Sequence, residues 1–256
     1  MAAGKAAFLH LLASAVVSAL AAILVFGAWF PFPYAQLSGG FKLFLLVVGV
    51  DVVCGPLLTL VLFNPSKPRS ELWRDMGLVV LIQLVALVFG LFTAWQARPL
   101  YLVHEIDRFR VISLQDYQGE DVTSDFAKLS GQLKPGLFSG PLTVGIRNPV
   151  DSKERHEVMV ESVMGGRDYS QRPNFYIPYD ISYSRAVMKH ARPLNLFIKK
   201  YPETERSAEV TLTRLRLNVG DVFVLPIMHR EDWVAMLSAS GEILGYLPGD
   251  GFVALD

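Results

Sequence analysis

Asp51 is the residue with the most demanding chemistry in the chain. It sits near the middle of an apolar stretch, Phe41 to Phe63, that reads FKLFLLVVGVDVVCGPLLTLVLF. Roughly twenty such residues cross a bilayer. A carboxylate at that depth costs several kcal/mol unless it is protonated, paired or turned toward other helices. Asp51, Gly55 and Thr59 recur at steps of four and so share one helical face. Small residues at that spacing admit a second helix at close range. Gln83 is the only strongly polar member of a further apolar stretch, Gly77 to Trp95. These four residues form the candidate helix-packing or partner-binding set. In the plainer reading, three helices bundle together and Gln83 and Ser18 satisfy Asp51. In the sharper reading, the face receives a helix from another protein.

The usual catalytic constellations are missing. His104-Glu105 and His156-Glu157 lack the second histidine of a zinc-protease helix. There is no G-x-S-x-G elbow, no Walker phosphate loop and no G-x-G-x-x-G. The five histidines are scattered without metal-ligand spacing. His229 to Asp232 reads as a solvated turn. An intramembrane aspartyl protease needs two membrane aspartates, whereas the apolar spans hold only Asp51, with Asp75 at a helix entrance. Neither catalysis nor a cofactor nor a metal is predicted.

Charge divides the chain into two regimes. Of 24 Lys and Arg residues, only Lys5, Lys42, Lys67, Arg69 and Arg74 precede residue 97. Formal net charge is zero and no basic stripe exists, so nucleic acid is not an expected partner. The lone Cys54 allows no intramolecular disulfide and reads as a small buried hydrophobe. Residues 1–96 form a membrane part, with lipid as its surroundings, and 97–256 a soluble part long enough for its own core.

Three transmembrane helices are predicted, over about 7–30, 41–63 and 74–96. Lys5 and His10 precede the first apolar run, Leu11 to Phe30. A cleaved signal peptide is the competing reading, but signal cores are shorter than this run. Ser14, Ser18 and Ala22 form one small-residue face, and Ala86, Gly90 and Ala94 another. Trp29, Phe30, Phe32 and Tyr34 read as an interfacial aromatic belt. Residues 31–40 make a turn, Pro56 introduces a kink, and Ser70 is the expected cap of the third helix. Lys67, Arg69 and Arg74 lie between helices two and three. The positive-inside rule puts that loop in the cytoplasm. The N-terminus is then cytoplasmic and residues 97–256 periplasmic, in a bacterium with two membranes. Lys42 and Arg98 flank the outer side and weaken the asymmetry.

Beyond Trp95 the pattern turns mixed. Strands are predicted at Arg108 to Leu114 and Pro141 to Arg147, and as three runs beginning at Asp221, Trp233 and Glu242. Ser238 to Gly241 should turn between the last two. Helices are predicted at Ser152 to Met164, with Ser152 as cap, at Tyr183 to Ala191 and at Glu205 to Arg216. The soluble part is therefore α+β. Arg98, Pro99, Tyr101, Asp107 and Arg108 are candidates for juxtamembrane coupling. In the plainer reading Arg98 and Tyr101 anchor at headgroups, and Asp107 and Arg108 are surface charges at a strand start.

Three segments carry a resemblance: DVVCGPLLTLVLF (Asp51 to Phe63), the basic loop SKPRSELWRDM, and QLVALVFGLFTAWQARPLYLVHEIDRFRVISLQD (Gln83 to Asp116). Together they resemble the type IV pilin accessory proteins of the TfpX/TfpZ family, mainly over residues 40 to 117. That resemblance implies an inner-membrane accessory factor for type IV pilus biogenesis. Its implied partner is a type IV pilin subunit, with the pilus assembly platform as a second candidate, and no catalytic activity is implied. Hydropathy alone yields only a membrane-anchored domain. A periplasmic binding or sensory domain unrelated to pili is thus the alternative, and a membrane enzyme with an unrecognised site is the third.

Overall fold

A computed structural model describes residues 2–117 and 122–253, without the side chains at 42, 43, 46, 47 and 122. The Lys42 side chain therefore lies outside the described residues. The chain divides into two compact units, Met1–Arg98 and Pro99–Asp256.

The first unit is helical. α1 spans Ala2–Leu24 and continues into a π-helical turn, Val25–Trp29. A four-residue helix, α2 (Tyr34–Leu37), leads into α3 (Gly40–Leu62), and α4 spans Arg69–Ala97. The segments Ala2–Trp29 and Arg69–Ala97 are long and apolar enough to cross a membrane; within α3 the apolar stretch Val48–Leu62 is shorter. Leu9, Leu20, Ile23, Val61, Val85, Val88 and Phe89 are exposed, so the helices turn large apolar side chains outward. α3 packs against both α1 and α4. Pro56 sits within α3, and Pro68, not Ser70, occupies the N-cap of α4. The rigid proline φ suits a helix start, which moves the boundary ahead of the serine.

Two expectations for this unit are overturned. Trp29, Phe30 and Tyr34 are buried, and only Phe32 is exposed. Trp29 packs edge-on against Trp95 with ring centroids 5.2 Å apart. Trp29 and Phe30 thus form an internal cluster with Val25 and Ala35, joined by Phe44, Leu91 and Ala94, because the turn folds back on the helix ends. Cys54 is exposed on α3, since the face with buried positions is the one carrying Gly55 and Thr59.

The second unit is built on an eight-stranded mixed sheet. β1 (Pro99–Glu105) and β2 (Arg108–Ser113) form a hairpin; β3 is Leu142–Ile146 and β4 is Tyr176–Pro178. α5 (Val122–Lys128) precedes β3, and α6 (Ser152–Val163) follows it. After β4 come α7 (Ile181–Val187), the two-residue β5 (Arg192–Pro193), α8 (Leu194–Lys200) and α9 (Glu205–Leu215). β6 (Val222–Met228), β7 (Trp233–Ser238) and β8 (Ile243–Pro248) close the unit. The strand order is β4-β3-β1-β2-β6-β7-β8, with β5 on β6. β1 runs parallel to β3, and β2 parallel to β6; the other pairs are antiparallel.

Two apolar clusters hold the sheet. Tyr101, Val103, Ile112 and Val144 gather with Leu129 and Leu133, while Val222, Val224, Val234 and Met236 pack on Leu194, Phe197 and Ala208. Asp151 caps α6, accepting from Glu154 N at 2.7 Å, in place of the expected Ser152. α7 begins at Ile181 because Asp180 caps it through Ser182 N and Tyr183 N at 2.9 and 3.0 Å. The β7–β8 turn falls at Ser238 to Gly241 as expected, with Gly241 at φ 81°.

Candidate functional site

The polar residues of the first unit meet in one hydrogen-bonded chain. His10 of α1 lies 2.5 Å from Thr59 Oγ1 of α3 through Nδ1, and 2.6 Å from Gln83 Oε1 of α4 through Nε2. Gln83 Nε2 in turn donates to the main-chain carbonyl of Asp51 at 3.0 Å. The amide oxygen can only accept, so His10 Nε2 carries a proton. In the neutral ring, Nδ1 then accepts from the Thr59 hydroxyl. The His10 ring and the Gln83 amide oxygen are both paired in that arrangement, and three helices are tied together through it.

Gly55 explains how Gln83 reaches α3. A Cβ on Gly55 would stand 2.0 Å from Gln83 Nε2 and 2.7 Å from its Cδ. The missing side chain is the seat of the Gln83 amide. The face of Asp51, Gly55 and Thr59 is thus occupied from within: Gln83 lies on Gly55, and His10 bonds Thr59, which is only 3 % exposed.

The Asp51 carboxylate stands apart from this chain. Gln83 meets its main chain, and among the described residues the carboxylate has no hydrogen bond or ion pair. It is half-buried and lines a cleft of about 400 Å³ between α1 and α4. Leu9, Ala13, Val17, Val80, Leu84 and Leu87 line the cleft with apolar surface; His10, Ser14, Ser18 and Gln83 add polar groups. Ser18 shares the cleft with Asp51 without bonding it. The small face Ser14–Ser18 keeps the cleft open beside the acid.

The juxtamembrane candidates do not converge on one site. Arg98 is buried, with its guanidinium carbon 3.5 Å from the Trp95 ring centroid. Pro99 and Tyr101 belong to β1. Tyr101 is fully buried and donates to Leu133 O at 2.7 Å, so it is a core residue and not a headgroup anchor. Burial holds its phenol well above the ordinary tyrosine range. Asp107 and Arg108 pair with each other at 2.7 and 3.1 Å beside the β1–β2 turn. Their hydrogen bond lowers the Asp107 carboxyl from its usual value.

Reasoning from sequence missed His10 as a site residue, because it stands at the edge of the uncharged run. The available signal was its type: an imidazole inside a helix that begins at Ala2 needs polar partners in a membrane. It also missed β1. YLVHE lacks polar alternation, because both faces of that strand are buried.

A family model described as fimbrial assembly protein FimB matches residues 1–39. The chain is 33% identical over 253 residues to the fimbrial assembly protein of serogroup I from Dichelobacter nodosus, covering 98% of this chain and 96% of that one. It is 32% identical over 253 residues to the serogroup E1 protein of the same organism, with the same coverage. The protein of serogroups C1 and C2 is 46% identical over 114 residues, which is 44% of this chain and 87% of that relative. No solved structure matches significantly.

Proposed function

The chain belongs to the family of fimbrial assembly proteins, and from that premise we propose that it is a non-catalytic accessory factor of type IV pilus biogenesis. In this reading it sits in the inner membrane with three crossings, a cytoplasmic N-terminus and a periplasmic sheet domain. Lys67 between α3 and α4, with Arg69 and Arg74 in the first turns of α4, supports the orientation. Lys67 is also paired with Asp75 at 2.7 Å, but the positive-inside bias counts basic residues rather than net charge. Active alkaline phosphatase fused after residue 256 is the expected result; an inactive fusion alongside an active cytoplasmic reporter at the same point overturns the orientation.

The partner in this reading is a type IV pilin subunit. The observation that carries it is the Asp51 carboxylate, left without a bonding partner among the described residues in a cleft open between α1 and α4. An acid in hydrocarbon gains from any donor offered by an arriving helix. Gly55 and Thr59 are engaged internally, so Ser14, Ser18 and Asp51 make the receiving surface. Photo-crosslinkers at Ser14 and Ser18 should capture pilin in cells, whereas one at the buried Tyr101 should not. Asp51→Asn should keep most pili, since the amide still bonds, and Asp51→Leu should lose more. Capture of an assembly-platform protein in place of pilin would refute the pilin assignment while leaving the pilus role standing.

A further inference from the structure

The sheet domain carries a second concave surface, independent of the intramembrane cleft and of the pilin assignment. It is a groove of about 910 Å³ lined by the end of the β1–β2 hairpin, the segment after β3, β4, α6, α7 and the turn after α7. Its charges are unevenly compensated. Arg147 is tied to Glu154 by two bonds of 2.9 and 2.7 Å. Asp180 is engaged as the cap of α7. Glu105 accepts from Ser170 Oγ at 3.2 Å and faces Arg110 at 4.0 Å. Burial also raises the Glu105 carboxyl from its usual value. By contrast, Arg155 on α6 and Lys189 after α7 are exposed, with no side-chain hydrogen bond or ion pair among the described residues, while His190 beside them faces Asp107.

Two further observations point to an occupant. Ile106 lines the groove with φ 55° and is 72% exposed. A β-branched residue in the left-handed region is a genuine outlier, and glycine or asparagine would suit this turn better. An exposed isoleucine held there against its preference is an apolar contact without an internal reason. His104, only 4 % exposed, lines the same groove. Its Nδ1 lies 2.9 Å from Tyr183 Oη, which accepts from Ile146 N, and this leaves Nε2 as the ring's other polar atom. That Nε2 has no hydrogen-bond partner. The nearby Ile106 main chain favours the protonated ring, against the larger effect of burial.

We propose that this groove binds an extended acidic polypeptide segment, with Arg155 and Lys189 meeting its carboxylates and Ile106 packing on an apolar side chain between them. A compact anion fits less well, because the free cations stand on separate elements with Ile106, Ile177 and Pro178 also lining the groove. Electrostatic attraction of this kind weakens with salt.

The test uses the full chain in nanodiscs of zwitterionic lipid and a fluorescent ten-residue peptide alternating Asp or Glu with Val or Leu. Saturable anisotropy is expected, lost when Asn and Gln replace the acids. Arg155→Glu with Lys189→Glu should weaken binding at least about tenfold, as like charges meet. Ile106→Gly relieves the turn, so it should melt no lower than the parent and still bind about threefold more weakly; this variant decides the matter if the charge reversal fails to fold. Peptide binding unaffected by these changes, or none at millimolar peptide, overturns the proposal. So does binding of inorganic phosphate or anionic vesicles that depends on Arg155 and Lys189 without any peptide binding.

Discussion

The helical unit and the sheet domain treat their buried polar groups in opposite ways. In the helices, His10, Thr59, Gln83 and the Asp51 carbonyl form one chain that crosses three elements. In the sheet domain, several buried hydroxyls instead donate straight to main-chain oxygens, and the side-chain links that exist, such as Ser170 to Glu105, join residues of the one sheet unit. Tyr101 donates to Leu133 O, Tyr176 to Ser170 O, and Ser184 to Ser240 O. The difference follows from the solvent. Apolar burial drives the sheet domain together, and hydrogen bonds then only avoid desolvation penalties. Between helices in lipid that drive is absent, so close packing and a few shared polar contacts hold them. Perturbations should therefore stay local in strand turns and spread between helices in the first unit.

The largest expected effect is Gly241→Ala. The new Cβ would stand 2.1 Å from the main-chain oxygen of Ser184, at a φ of 81° that disfavours any side chain. Backbone must move, at a cost of about 3 kcal/mol or more. Hydrogen exchange on the full chain should show lost protection in α7, β7 and β8, with α1, α3 and α4 unchanged. Loss in the helices as well would break the contrast.

Acid should come next, and act on the sheet domain. Burial pushes His104 and His229 down to about 4. Their folded values lie below the unfolded one, so the neutral rings stabilise the fold fully above about pH 6.5, and that contribution fades as pH falls toward 4. Between pH 6.5 and 5 each should remove about 2 kcal/mol. The half-buried Glu105, whose carboxyl is raised by burial, responds in the opposite sense: its contribution is present below the ordinary carboxylate range and is lost as pH rises. Unfolding of His229→Gln should have roughly half the parent's pH slope in that window; an unchanged slope refutes the assignment.

Gly55→Ala should cost about 1–3 kcal/mol of helix association, by driving the Gln83 amide from its seat. The clash is with a side chain, so Gln83→Ala should restore much of it. Such recovery in a double-mutant cycle, read by crosslinking between α3 and α4, would establish the contact directly. Gln83→Leu alone should be the mildest, about 0.6 kcal/mol per lost bond. It should nevertheless loosen α4 from both α1 and α3, unlike any single change in the sheet.

Much of the fold was legible from residue pattern. The apolar runs mark α1 and α4 because length and hydropathy are local properties. β2, β3, α6, α9 and the three final strands show local alternation, caps or turns. β1, β4 and β5 did not, since a strand buried on both faces, or only two or three residues long, has no period of its own. The site was half legible: Asp51, Gly55, Thr59 and Gln83 stand out as polar or small residues in apolar runs. Their pairing was not, because His10 is 49 residues from Thr59 and 73 from Gln83.

By itself, then, the sequence determined which residues had to be accommodated: an acid, a glycine and a threonine at helical spacing, one amide in a later apolar run, and then a charged domain. Only the tertiary structure decided that Gly55 seats Gln83, that Gln83 takes the Asp51 carbonyl and leaves its carboxylate facing the cleft, and that Tyr101 belongs to a core. Those outcomes depend on which distant faces meet, and a buried hydrogen bond goes to whichever partner the packing brings within about 3 Å.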